Sequence, residues 1–147
     1  MGIIEGQSTA EINAQIETVW ALVQDVEKAP EWQNGLKDME ALERDDAKRA
    51  LVCESSTDAK VTQIKARVRF KYSEPTKLEW IVEKSPMKST EGHWLLEDLG
   101  GNRTKTTYWL RADLGRIGLV VRGPLLDVLR GQLVGGRADE LKKAIEG

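Results

Sequence analysis

Nucleophilic and metal-binding side chains are scarce in this sequence. His93 is the single histidine and Cys53 the single cysteine. A histidine-based metal centre or a Ser–His–Asp type of triad therefore lacks the residues it needs. Aromatic groups are better supplied, with five tryptophans against one phenylalanine and two tyrosines. Trp80 and Trp94 share the parity of Phe70, Leu78, Tyr108 and Leu110 in runs of alternating apolar and polar residues, and Trp32 follows a proline-containing break. Rings gathered in this way either line a flat apolar pocket or form plain core. An indole N–H needs a partner once buried, so several indoles suit a roomy, partly hydrated interior. Tyr108 is the phenol expected inside. It would orient or protonate a ligand carbonyl there, or simply be anchored by its hydroxyl, and it is the one candidate for a catalytic role. Trp109 alternates with it and should face outward, either incidental or part of a homodimer contact.

Charged residues point to solvent. Lys65, Arg67, Arg69 and Lys71 form a basic stripe on one strand face, which could meet anionic lipid or nucleic acid. Glu79 and Glu83 lie on the neighbouring strand, and cross-strand charge pairs account for the stripe without such a partner. Parity keeps these arginines out of the interior, so none is assigned a catalytic role. It also places His93 outside and leaves Cys53 as a small strand residue. Gly100-Gly101 reads as a hairpin turn, not a phosphate loop, because no helix follows it.

The elements that must position these groups are mostly strands. Gln7 to Asn13 alternates as a first strand, with Ser8, Ala10 and Ile12 on one face. Ile16 to Val26 has the spacing of a first helix, broken at Ala29-Pro30-Glu31-Trp32, where a short second turn of helix begins. Leu36 to Arg44 and Arg49 to Ser55 are strands around a turn at Asp45-Asp46. Thr62, Ile64, Ala66, Val68, Phe70 and Tyr72 alternate with polar residues, and Leu78, Trp80 and Val82 answer them past Glu74-Pro75. Matching apolar faces pairs Phe70 with Leu78, Arg69 with Glu79 and Lys65 with Glu83. A second hairpin joins Gly92, Trp94 and Leu96 to Thr104, Thr106, Tyr108, Leu110 and Ala112. From Ile117 to Gly147 the apolar residues Val121, Leu125, Val128, Leu129, Leu133, Ala138, Leu141 and Ile145 recur at helical steps. One helix from Leu119 to Ile145 would run roughly 40 Å and cross the whole molecule. Gly123-Pro124 distorts its start, and Gly131 and Gly135-Gly136 interrupt its middle. Among Asp127, Arg130 and Gln132, that distortion leaves open which one faces inward.

Length and composition bound the rest. A chain of 147 residues is one domain by size, able to bury roughly 68–70% of its unfolded surface. A net charge of −2 gives no global pull toward nucleic acid or anionic membrane. The lone cysteine excludes an internal disulfide and suggests a cytoplasmic setting. No apolar run approaches the eighteen or so residues of a membrane span, so stable membrane insertion is not expected. The opening residues lack the basic and apolar regions of a signal peptide.

The order strand, two short helices, antiparallel meander and long helix is an α+β arrangement. Its motifs resemble the START-like, helix-grip superfamily (START/Bet v 1-like, SRPBCC), in its polyketide cyclase/dehydrase branch. Glu11-Ile12-Asn13-Ala14-Gln15-Ile16-Glu17-Thr18-Val19-Trp20 looks like that family's approach to the first helix. Asp25 with Pro30-Glu31-Trp32 looks like its second-helix signature, and Gly92-His93-Trp94 with Thr104 to Leu114 resembles its last hairpin. Gln15 departs from the proline often found there. The resemblance implies a curved antiparallel sheet wrapped around the C-terminal helix over residues 1–147. It also implies a cavity between the two that holds a hydrophobic small molecule: a lipid, an isoprenoid or quinone, or a polyketide-like compound. Trp32, Phe70, Leu78, Trp80, Trp94, Tyr108, Leu110, Val121, Leu125 and Val128 are the residues expected to line it. Family members include lipid carriers, aromatase/cyclases and co-chaperone-like interaction domains, so the activity stays open. No cofactor, metal or nucleic-acid partner is implied.

Overall fold

The structure, a computed structural model, describes residues 2–60 and 63–147; Thr62, expected in the fourth strand, lies outside them. Seven antiparallel strands form one sheet in the order β1-β7-β6-β5-β4-β3-β2. They are β1 Ile3–Ile12, β2 Leu36–Arg44, β3 Ala50–Asp58, β4 Gln63–Ser73, β5 Lys77–Lys84, β6 Ser89–Gly100 and β7 Arg103–Asp113. Helix α1 (Ile16–Val23) and a 3-10 turn (Val26–Glu31) follow β1. A second 3-10 turn (Gly115–Leu119) and helices α2 (Pro124–Leu133) and α3 (Arg137–Glu146) follow β7. This is the α+β helix-grip arrangement, with the helices gathered on one face of the sheet.

Three details differ from the sequence reading. β1 begins at Ile3, not Gln7, because Ile4 continues the inward parity opposite Ala112 and is fully buried. The first hairpin is offset by one pleat: Phe70 faces Trp80 and Tyr72 faces Leu78, with Lys71 opposite Glu79. Even parity survives such an offset, so the inward set is unchanged. The basic stripe stays outside, where Arg69 pairs with Glu83 at 3.0 Å and Arg67 with Glu54 at 3.3 Å.

The third difference is the C-terminal helix, which is divided. Gly136 sits at φ 74°, in left-handed backbone that glycine adopts without the Cβ penalty, and this stops α2 from running into α3. Each segment has ten residues, about 15 Å of helix apiece. Helix α3 is the better fastened. Ala138 and Leu141 are fully buried against β1 and β7, and Ser8 Oγ accepts the Ala138 N–H at 3.0 Å. The Asn13 N–H donates to Glu146 at 2.9 Å, tying the last turn to the end of β1. Buried Thr104 and Thr106 donate to the carbonyls of Ala14 and Ala10 at 2.8 and 3.1 Å, so both of these hydroxyls are satisfied. Strand β2, at the opposite sheet edge, pairs with β3 through three register breaks, at Leu36/Asp38, Ala41/Glu43 and Glu43/Arg44.

Candidate ligand cavity

A hollow of about 140 Å³ lies between the inner face of the sheet and the helices. Six of the residues expected to line it do so: Phe70, Leu78, Trp80, Trp94, Tyr108 and Leu110. The alternation of β4 to β7 places them, since each stands on the inward parity of its strand. Their rings form a continuous wall. Trp94 meets Tyr108 edge-on with centroids 4.8 Å apart, Trp80 lies 5.5 Å from Tyr108, and Phe70 lies 6.4 Å from Trp80. Gly92 makes this possible. A Cβ there would come within 2.6 Å of Trp80 Cζ2 and 2.8 Å of the Trp109 carbonyl, so the Trp80 indole occupies the space a side chain would fill. Val23 and Val26 close one end, Leu133 of α2 contributes from above, and Ser55, Thr57, Ser85 and Thr90 supply scattered hydroxyls.

Four expected lining residues lie elsewhere. Trp32 backs the wall, its ring 6.0 Å from Trp94, and does not reach the hollow. Val121 is buried ahead of α2 but away from the cavity. Leu125 and Val128 are 47% and 42% exposed. Helix α2 begins only at Pro124, after Gly123 at φ 59°, and it presents Leu129 and Leu133 inward and Leu125 and Val128 outward. Leu119 and Val120, ahead of α2 in the chain, are exposed as well.

The polar group inside comes from none of Asp127, Arg130 or Gln132. Asp127 and Arg130 pair with each other at 3.1 Å near the surface. The cavity instead receives Arg137, the first residue of α3, which is 4% exposed. Its Nη1 donates to the Asn34 carbonyl and to Glu140 Oε1, both at 2.8 Å, and Nη2 donates to the Gln132 carbonyl at 2.9 Å. Its Nε–H is buried without a partner. Tyr108 lies beside it. Burial pushes the Tyr108 phenol above the usual tyrosine range, and the neighbouring guanidinium opposes that rise. The phenol is therefore a neutral donor at ordinary pH. Tyr72, also inward, has its hydroxyl committed to the Ala50 carbonyl.

The remaining candidates are structural. Cys53 is fully buried on β3, and burial pushes its thiol up to about 11. His93 stacks on Trp109 on the outer face at 5.2 Å, and the Trp109 indole donates to Glu5 at 3.2 Å. Gly100 ends β6, and Gly101 with Asn102 forms the turn into β7. Among the described residues, no three His, Cys, Asp or Glu side chains stand together as metal ligands. No helix among them is long and apolar enough to cross a membrane.

An antiparallel sheet closed over C-terminal helices, with an aromatic-walled hollow between, defines a START-like helix-grip protein. The chain belongs to the polyketide cyclase / dehydrase and lipid transport family, whose model matches residues 4–146. Among solved structures it is similar to a START superfamily protein from Mycobacterium smegmatis, at 21% identity over 97% of each chain with a TM-score of 0.82. It is also similar to a protein from Thermus thermophilus, at 15% identity over 96% of each chain and a TM-score of 0.80. The Zhui aromatase/cyclase from a Streptomyces species aligns at 18% identity over 97% of this chain and 84% of that one, with a TM-score of 0.68. At these identities the likeness shows the fold. No curated protein matches the chain in sequence.

Proposed function

We propose that residues 1–147 form one START-like domain that holds a hydrophobic small molecule in this cavity, in a cytoplasmic setting. The observation that carries the reading is the unfilled volume itself, about 140 Å³ behind a wall of rigid rings. Its size restricts the ligand. An engineered apolar cavity of about 150 Å³ stays dry and accepts benzene, whereas drug-sized ligands occupy roughly 300–1,000 Å³. A single ring with a few substituents fits the hollow as it stands. A folded polyketide or a long isoprenoid chain exceeds that volume. Native mass spectrometry of freshly purified protein, followed by calorimetric titration with ethylbenzene, tests the reading. A retained adduct, or a saturable heat at one site, is the expected result. No adduct and no heat up to the solubility limit of ethylbenzene would sink it.

A second reading, an aromatase/cyclase, draws on Tyr108 beside Arg137 as a proton donor next to a cation. Volume weighs against it, because a poly-β-ketone chain exceeds the hollow. If Tyr108→Phe leaves turnover of such a substrate unchanged, that role for the phenol is gone.

A further inference from the structure

A cavity shaped for hydrocarbon alone has no use for a buried cation, and Arg137 is held in an unfavourable place for one. It is 4% exposed and opens α3, where the helix dipole disfavours positive charge. Glu140, at 2.8 Å, neutralises it, and the other oxygen of that carboxylate accepts the Asn34 N–H at 3.0 Å. A guanidinium carries five N–H donors and no acceptor. Three are used, on the Asn34 carbonyl, the Gln132 carbonyl and Glu140. Bracing the loop at Asn34 against α3 explains those three. It does not explain the buried Nε–H without a partner. Nor does it explain why a phenol stands beside the guanidinium on the cavity wall. Arg137 has no acceptor to offer the Tyr108 O–H; its guanidinium can only donate toward the phenol oxygen. The corner is thus rich in donors, short of acceptors and neutral in net charge.

Resting on the cavity reading above, we infer that this corner binds a neutral acceptor oxygen. The ligand class it selects is a small aromatic ring bearing a carbonyl, with the oxygen toward Tyr108 and Arg137 and the ring among Phe70, Trp80 and Trp94. A carboxylate is disfavoured, because Glu140 already matches the guanidinium and a second anion would be buried without a counter-charge.

Calorimetry with three ligands of similar size, ethylbenzene, acetophenone and benzoate, tests this on wild type and Tyr108→Phe. Acetophenone should bind at least tenfold more tightly than ethylbenzene, since it satisfies donors that hydrocarbon leaves buried and unpaired. Benzoate should bind no more tightly than acetophenone. In Tyr108→Phe the acetophenone preference over ethylbenzene should shrink to within about threefold. Arg137→Lys, checked for folding by circular dichroism, should narrow the preference as well, because it keeps the charge but loses the planar fork of donors. Equal affinity for ethylbenzene and acetophenone would overturn the inference and leave the cavity reading standing. So would a preference that survives Tyr108→Phe, and benzoate binding tenfold tighter than acetophenone would overturn the choice of a neutral oxygen. If none of the three ligands binds and the purified protein retains no adduct, the cavity reading itself fails.

Discussion

Under α3, Ile4, Ile12, Leu96, Ala138 and Leu141 are at most 1% exposed, and the buried Thr104 and Thr106 hydroxyls have their partners. Toward β4 and β5 the same sheet face carries more aromatic surface yet leaves a hollow. The difference lies in side-chain shape. Gly6, Ser8 and Ala10 on β1 are small, so Ala138 and Leu141 can approach the sheet closely. A Cβ on Gly6 would already stand 3.3 Å from Val134 Cγ1. Rings cannot interdigitate that way, and α2 offers them only Leu133 from above. A face with fewer large residues is therefore the better filled.

Four measurements sharpen or break that contrast. Leu141→Ala should remove about 2–5 kcal/mol from the unfolding free energy in a urea titration, the cost of a cavity in well-packed core. A loss under 1 kcal/mol would mean that the α3 half is no more tightly filled than the other. The next effect is on pH dependence. Burial first, then the Glu27 carboxylate, raise the Cys53 thiol from 9.0 to about 11, with Arg44 opposing. The unfolded thiol loses its proton near pH 9 while the folded one keeps it until about pH 11. Its contribution is complete below pH 9 and disappears as pH rises toward 11, amounting to about 2–3 kcal/mol. Wild type should therefore lose more stability than Cys53→Ala across that window. Parallel curves would show that water reaches the wall behind the hollow.

Smaller effects belong to the cavity itself. Gly92→Ala should cost about 1–3 kcal/mol, because the Trp109 carbonyl cannot retreat and the Trp80 indole must. A shift in tryptophan emission should accompany it. Ala66→Leu points a larger side chain into space already empty, so stability should change by less than about 1 kcal/mol while ethylbenzene binding disappears. A steep loss of stability there would mean that the space is not free.

Much of this was legible in the chain. Strand parity survives a one-pleat offset in pairing, so the aromatic wall is legible although apolar matching pairs Phe70 with Leu78 and the sheet pairs it with Trp80. The C-terminal helices were harder. Val134 and Ala138 lie on either side of Gly135-Gly136 and continue one apolar stripe, so periodicity carries no trace of the break. Leu125 and Val128 keep helical spacing with residues that turn the other way, because spacing records the rotation within a helix and not its direction. Arg137 is not legible as an interior residue, because an arginine within a charged stretch reads as solvated. The signal available was its position directly after the double glycine, at the positive end of a new helix.

The irregular pairing of β2 has a further consequence. This is a free border of the sheet, beside its less filled half, and a straight border there would offer rows of amide donors and acceptors to another chain. Breaks at Leu36/Asp38, Ala41/Glu43 and Glu43/Arg44 leave no flat run long enough to template strand addition. Lys37, Asp38, Glu40, Glu43 and Arg44 add charges along the same border. The molecule can keep a void inside without inviting copies of itself to aggregate along that side.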